Sequence, residues 1–189
     1  SMPIKQIKIQ DDLSKLHCKW LVSNFKNVSY LNVNLDNVFS SFENALGENN
    51  SEHAFANSRA RLRMTTLYQV AGSNNGIVVG TGNKVEDFGV GFYTKYGDGG
   101  VDISPIADCT KSQVWEMGEF LEIDHKIISA PPTDGLWVDG RNDEDQLGMT
   151  YKELEEAMEN PKSENYNKYL KIRENNLHKI KEIPVCKFD

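Results

Sequence analysis

The residues best placed to do chemistry lie in the stretch Ile77 to Asp102, IVVGTGNKVEDFGVGFYTKYGDGGVD. Ile77, Val78 and Val79 form a short apolar, β-branched run that predicts a strand buried on both faces, broken at Gly80 into a polar, glycine-rich turn. Open α/β sheets bind ligands at such strand ends. Thr81, Asn83, Lys84 and Glu86 follow within a few residues, then Thr94, Lys95, Asp98 and Asp102 among further glycines. Hydroxyl, ammonium and carboxylate groups on backbone that can approach a ligand closely suit a phosphate-bearing substrate and a metal ion. Two common phosphate motifs are excluded. A Walker loop would need glycine where Ile77 stands and Ser or Thr where Val85 stands, and a G-x-G-x-x-G fingerprint starting at Gly80 lacks its third glycine at Val85. A long surface loop remains the alternative reading of the segment on composition alone.

Other candidates are spread along the chain. Arg59, Arg61 and Arg63 cannot share one helical face, so Arg59 and Arg63 point together and Arg61 elsewhere. On spacing alone a solvated charged helix is the better account of the trio. Lys111 sits in the first turn of a helix that Thr110 and Gln113 should open as a capping box. A cation there opposes the helix dipole unless an anion is near, which hints at a phosphate. Thr133 sits at the tip of a proline-stiffened turn, APPTDGLW over 130–137. Asp143, Glu144 and Asp145 could be read as a metal site, but three adjacent carboxylates suit a solvated run better. His178 and Lys179 lie in a basic C-terminal stretch.

Taken together, these segments resemble the ammonia-dependent NAD synthetases. The resemblance rests on Thr81 with Glu86 five residues later, on Phe92-Tyr93-Thr94-Lys95-Tyr96-Gly97-Asp98-Gly99-Gly100-Val101-Asp102, and on Ser58-Arg59-Ala60-Arg61-Leu62-Arg63-Met64. Thr110-Lys111, Pro132-Thr133, the Asp143-to-Tyr151 segment and His178-Lys179 add to it. It implies ATP-dependent amidation of deamido-NAD with ammonia to give NAD, through an adenylated intermediate, with release of AMP and pyrophosphate. By that resemblance Thr81, Lys111 and Thr133 hold ATP, and Glu86 is a Mg²⁺ ligand. Arg61, Lys95, Asp102, His178 and Lys179 hold deamido-NAD in a cleft shared by the two subunits of a homodimer. No catalytic residue is implied.

The family's Ser-Gly-Gly-x-Asp-Ser loop, which grips the ATP pyrophosphate, occurs nowhere in the sequence. A truncated chain, an incomplete sequence or a natural remnant would each explain this. The expectation is therefore a Rossmann-like, three-layer α/β/α fold with a parallel sheet that lacks its first strand. Little or no synthetase activity is expected of these residues alone. The exposed sheet edge would be covered in the dimer. A non-catalytic dinucleotide-binding or dimerising fragment is the alternative. Another ATP-pyrophosphatase relative is disfavoured by the RARLRM and FYTKYGDGG segments.

The elements that must position these groups fit in 189 residues as one domain, 1–189. Within it, 134–159 reads as an acidic mobile loop with a short helix capped by Thr150 and Glu153, and 163–189 as a basic helix and tail with Tyr166, Tyr169 and Ile172 on one face. Asp11 and Asp12 are expected to start a helix whose covered face carries Leu13, Leu16 and Trp20. Leu31, Val33 and Leu35 alternate like a half-covered strand. A helix over about 36–46 ending at Gly47 follows, then one over about 54–71 ended by Gly72 with Ala60, Met64, Leu67 and Ala71 inward. Val114, Met117 and Leu121 are expected to form the buried stripe of the helix over 111–121.

A net charge of -7 argues against broad nucleic-acid binding. Cys18, Cys109 and Cys186 form no C-x-x-C pair and fit reduced thiols in the cytoplasm. No apolar run approaches a membrane span and no signal peptide is expected.

Overall fold

The computed structural model describes residues 1–137 and 139–188. Helices α1 Lys8–Asn24, α2 Asp36–Leu46 and α3 Glu52–Ser73 come first. A π-helix, Lys84–Val90, follows, and then α4 Lys111–Phe120, α5 His125–Ile128, α6 Asp143–Leu147, α7 Tyr151–Glu159 and α8 Tyr166–Ile180.

Two pieces of parallel pairing stand where strands were expected. Gly80 N–H donates to Ile103 O (2.7 Å) and Ile103 N–H to Val78 O (3.4 Å), which makes a single parallel bridge between Val79 and Ile103. Val33 N–H donates to Ser1 O (2.9 Å) and Leu35 N–H to Pro3 O (3.0 Å), so 31–35 runs beside the N-terminus without becoming a regular strand. Pro3 has no N–H to return, which shortens that ladder. The expected parallel sheet is thus reduced, among the described residues, to this pairing. Ile77–Val79 is not buried on both faces either: Val78 is 4% exposed, but Ile77 is 60% and Val79 53% exposed.

Among the described residues, two apolar clusters hold the chain. The larger joins Val85 and Val90 of the π-helix to Leu147, Met149, Tyr151, Leu154, Ala157 and Tyr169. The smaller gathers Ile4, Leu35 and Phe39, with Phe55 and Leu62 of α3 against it. Each side chain removed from water this way contributes about 1.5–3 kcal/mol before entropy is counted. As expected, α8 presents Tyr166, Tyr169 and Ile172 to the first cluster. The Thr150–Glu153 and Thr110–Gln113 capping boxes both form.

Several helix expectations are corrected. Asp11 and Asp12 do not cap α1, which begins at Lys8 after an uncapped Ile7; they pair instead with Lys15 and Lys8 at i,i+4 spacing. Trp20 is only half-buried, stacked on His17 and edge-on to Phe25. Helix α3 runs through Gly72. The left-handed residue that ends it is Asn75 (φ 53°), with Gly76 N–H closing on Ala71 O at 2.8 Å. Asn tolerates that conformation, so glycine was not needed. In α3, Ala56, Ala60 and Met64 are buried while Leu67 is 37% exposed. In α4, Met117 is exposed, as is Leu121 at its C-cap, and the covered face carries Lys111 and Trp115, because Trp115 packs edge-on against Tyr151.

The π-helix leaves carbonyls at its C-terminal end without helical donors, and α8 supplies them. Arg173 donates to Phe88 O and Gly89 O, Asn176 Nδ2 to Val90 O at 3.0 Å, and Lys179 Nζ to Gly91 O and Tyr93 O at 2.8 and 2.9 Å. Residues 173, 176 and 179 fall on one helical face, so three polar side chains dock α8 across the loop.

Candidate active site

Asn83 starts the local architecture. Its side-chain oxygen accepts from the backbone N–H of Val85 and Glu86, both at 3.0 Å, and so caps the π-helix. Its amide nitrogen donates to Glu86 Oε2 at 2.6 Å. The Glu86 carboxylate is therefore held from one side, and Lys111 Nζ reaches Oε1 from the other at 2.8 Å. Both side chains are largely covered, at 17% and 16% exposed for Lys111 and Glu86. The anion that makes Lys111 tolerable in the first turn of α4 is thus Glu86 of the same chain.

Tyr151 closes the cluster. Its ring lies 4.8 Å from the Lys111 ammonium, and its hydroxyl donates to Glu86 Oε1 and stands 3.1 Å from Asp143 Oδ2. Asp143 is buried, against the expectation of a solvated acidic run, and burial followed by the nearby Glu86 charge pushes its carboxyl up to about 6. Glu144 accepts from Tyr151 N–H at 2.9 Å, and Asp145 completes the capping box of α6. Asp87 is pushed up to about 7, chiefly by burial and then by Asp98 and Glu86.

Of the residues expected at the site, Glu86 and Lys111 are brought together as a pair. Arg61 is exposed on α3 and donates to Lys95 O at 3.1 Å, while Lys95 Nζ donates to His178 O at 2.7 Å. Those three therefore form a second group. Arg59 and Arg63 point the other way, as expected: Arg59 donates to Leu136 O, and Arg63 to Met2 O and Gln6 Oε1. Lys179 adjoins the second group, but its ammonium is taken up by the carbonyls of Gly91 and Tyr93, and burial lowers its pKa. Asp102 stands apart. One of its oxygens accepts from Val78 N–H (2.7 Å) and the other from Tyr68 OH (3.0 Å). Thr133 donates to Arg141 O at 3.1 Å, eight residues on, and Thr81 is exposed in the loop before Asn83. Within one chain, then, the named residues do not share a single cleft.

A cavity of about 460 Å³ lies between α3, the 92–98 loop and α8, with Asn57, Arg63, Tyr93, Asp98, Trp137 and Lys179 among its walls. Asp98 is open to it yet crowded by protein, and burial raises its pKa, a shift that its hydrogen bond from Thr94 N–H opposes. Sequence reasoning placed Asn83 only within the polar loop and Asp143 only within an acidic run, and assigned no individual role to Trp115 or Tyr151. The signal for Tyr151 was faint: an aromatic residue directly after a cap, on a helix whose inward face could not be oriented without its partners.

The NAD synthase family model matches residues 1–186. Among curated relatives, the NH(3)-dependent NAD(+) synthetase of Carboxydothermus hydrogenoformans is 44% identical over 71% of this chain and 56% of its own length. That of Mesoplasma florum is 38% identical over 87% of this chain and 67% of its own length. The chain thus spans little more than half to two thirds of these relatives. Among solved structures, NMN synthetase from Francisella tularensis has a TM-score of 0.87 at 28% identity, covering 99% of this chain and 77% of its own. An NH3-dependent NAD synthetase from Campylobacter jejuni has a TM-score of 0.71 at 22% identity, covering 98% of this chain and 76% of its own. The fold shared with them is α/β and Rossmann-like. With the match running nearly end to end, and with the Glu86, Lys95 and Lys111 segments inside it, the chain belongs to the NAD synthase family.

Proposed function

We propose that this chain carries the substrate-holding part of an ammonia-dependent NAD synthetase, which amidates deamido-NAD at the expense of ATP. A carboxylate is a poor electrophile, so the nicotinate acid must first be activated. ATP does this by adenylation, which releases pyrophosphate, and ammonia then displaces AMP. The observation that carries the reading is the covered Glu86–Lys111 pair: a cation and a carboxylate, fixed by Asn83 and Tyr151, in a chain that matches the family over 1–186. A polyphosphate arriving at Lys111 would exchange its oxygens for the Glu86 carboxylate, and this would release Glu86 as a ligand.

Mg²⁺ binds through one or two carboxylates plus phosphate oxygens, so it does not need an all-protein cage. Among the described residues no group of three or more His, Cys, Asp or Glu could hold a metal. Glu86, with ATP oxygens beside it, fits that demand, and a bound Mg²⁺ would neutralise charge as pyrophosphate departs. In this reading Thr81 and Thr133 join Lys111 on ATP. Arg61, Lys95, Asp102, His178 and Lys179 face deamido-NAD in a homodimer. The Arg61–Lys95–His178 group supports a shared anion site there. The finer architecture, a three-layer parallel sheet, belongs to the same proposal and is supported by the parallel Val79–Ile103 bridge.

The test is chromatographic. The chain is incubated with Mg-ATP, ammonium and deamido-NAD, and both nucleotides are expected to bind with little or no NAD, AMP or pyrophosphate formed; turnover at ordinary enzyme rates would refute this. Binding of deamido-NAD without any AMP would show that the chain lacks the ligase step. Because one solved neighbour is named an NMN synthetase, the mononucleotide acid is run in parallel as a competing substrate.

A further inference from the structure

Tyr151 is 1% exposed, and its hydroxyl sits between Glu86 Oε1 and Asp143 Oδ2. Asp143 in turn is tied to the turn that carries Thr133. Its N–H donates to Pro132 O at 2.9 Å and its Oδ1 accepts from Asp134 N–H at 3.0 Å. Asp134 spreads the connection by accepting from Leu136 N–H and Gln146 Nε2. A continuous chain of hydrogen bonds therefore runs from Lys111 through Glu86, Tyr151 and Asp143 to the backbone at 132–134. Every intermediate group is held by a second contact: Glu86 by Asn83, Tyr151 by the edge-on ring of Trp115, Asp143 by Pro132 O. A hydroxyl has one proton, so Tyr151 can donate to one carboxylate at a time, and a change in what Glu86 pairs with is felt at Asp143.

The geometry points to Tyr151 and Asp143 as positioning residues that couple the Glu86–Lys111 pair to the Thr133–Asp134 turn, so that both halves of a nucleotide site are set together. This rests on the reading that Glu86, Lys111 and Thr133 face ATP, but the coupling itself can be measured without nucleotide. Among the described residues the Tyr151 hydroxyl is hydrogen-bonded to Glu86 and Asp143 and to no residue of the turn, so its hydrogen-bonded route there runs through Asp143.

Hydrogen exchange is compared between the parent chain and Tyr151→Phe, which keeps the ring against Trp115. Exchange at the Asp134 amide is expected to speed up about five- to tenfold, the size of one lost hydrogen bond, with α3 and α8 unchanged. No change at 134, or an equal rise throughout the chain, overturns the coupling. In a second arm, Mg-ATP is expected to slow exchange at 133–136 in the parent and to do so less in the variant. If ATP leaves the parent unaffected while Tyr151→Phe still speeds Asp134, the coupling stands and the nucleotide reading falls. Should Tyr151→Phe fail to fold, Asp143→Asn is read at the opposite end, by the acylation rate of the Lys111 amine under limiting reagent. A faster rate supports the coupling, and an unchanged one overturns it.

Discussion

At the scale of single residues, the Glu86–Lys111 pair combines two demands that usually conflict. Its charges are covered enough to be costly if separated, and on the proposed function they must still be exchangeable for substrate. Glu86→Gln should leave the Lys111 ammonium without its counter-charge and cost about 1–3 kcal/mol of stability, read from the urea midpoint. Asp87 and Asp143 give the chain a signed pH dependence. Their folded values, about 7 and about 6, both lie above the ordinary 3.8. The folded state therefore binds these protons more tightly than the unfolded one. Their contribution is most favourable with both protonated and is lost as pH rises from about 4 toward about 7. Asp87→Asn should flatten that decline, and thermal midpoints measured from pH 4 to 8 that fall as steeply as in the parent would contradict it.

At the scale of elements, the contact between the π-helix and α8 holds the loop that carries Lys95. Gly91 ends the π-helix at φ 67°, and a Cβ there would stand 2.7 Å from Asn176 Cβ. Left-handed strain and overpacking then act together, so Gly91→Ala should cost about 1–3 kcal/mol. Near-parental stability in chemical unfolding would show that α8 can shift away freely. The Thr150 cap of α7 is a gentler probe. Thr150→Ala removes the hydroxyl that accepts from Glu153 N–H and should cost about 1 kcal/mol, leaving the Tyr151 ring in place. The π-helix itself was not legible in the sequence. Its wider turn depends on Asn83 at one end and on α8 donors at the other, and those donors lie more than 80 residues away.

At the scale of the whole molecule, the apolar side chains around the single parallel bridge are the open question of packing. Ile77, Val79 and Ile103 are 60%, 53% and 46% exposed. Such a cluster beside unpaired backbone favours association. A dimer is therefore expected in light scattering at micromolar concentration, and a well-behaved monomer there would count against the shared deamido-NAD site. No helix among the described residues is long and apolar enough to cross a membrane.

The segments that carried the family resemblance were readable in one dimension, because glycine turns, capping boxes and helical periodicity are local consequences of local residues. The caps at Thr110 and Thr150, the opposed directions of Arg61 and the Arg59–Arg63 pair, and the inward face of α8 all followed from spacing alone. What only the tertiary structure decided was which charges meet. Whether Lys111 finds an anion, whether Asp143 is wet or buried, and whether Ile77 and Val79 are covered depend on chain segments distant in sequence. A pattern can say that a side chain needs a partner, but only the folded chain determines which one comes within hydrogen-bond reach.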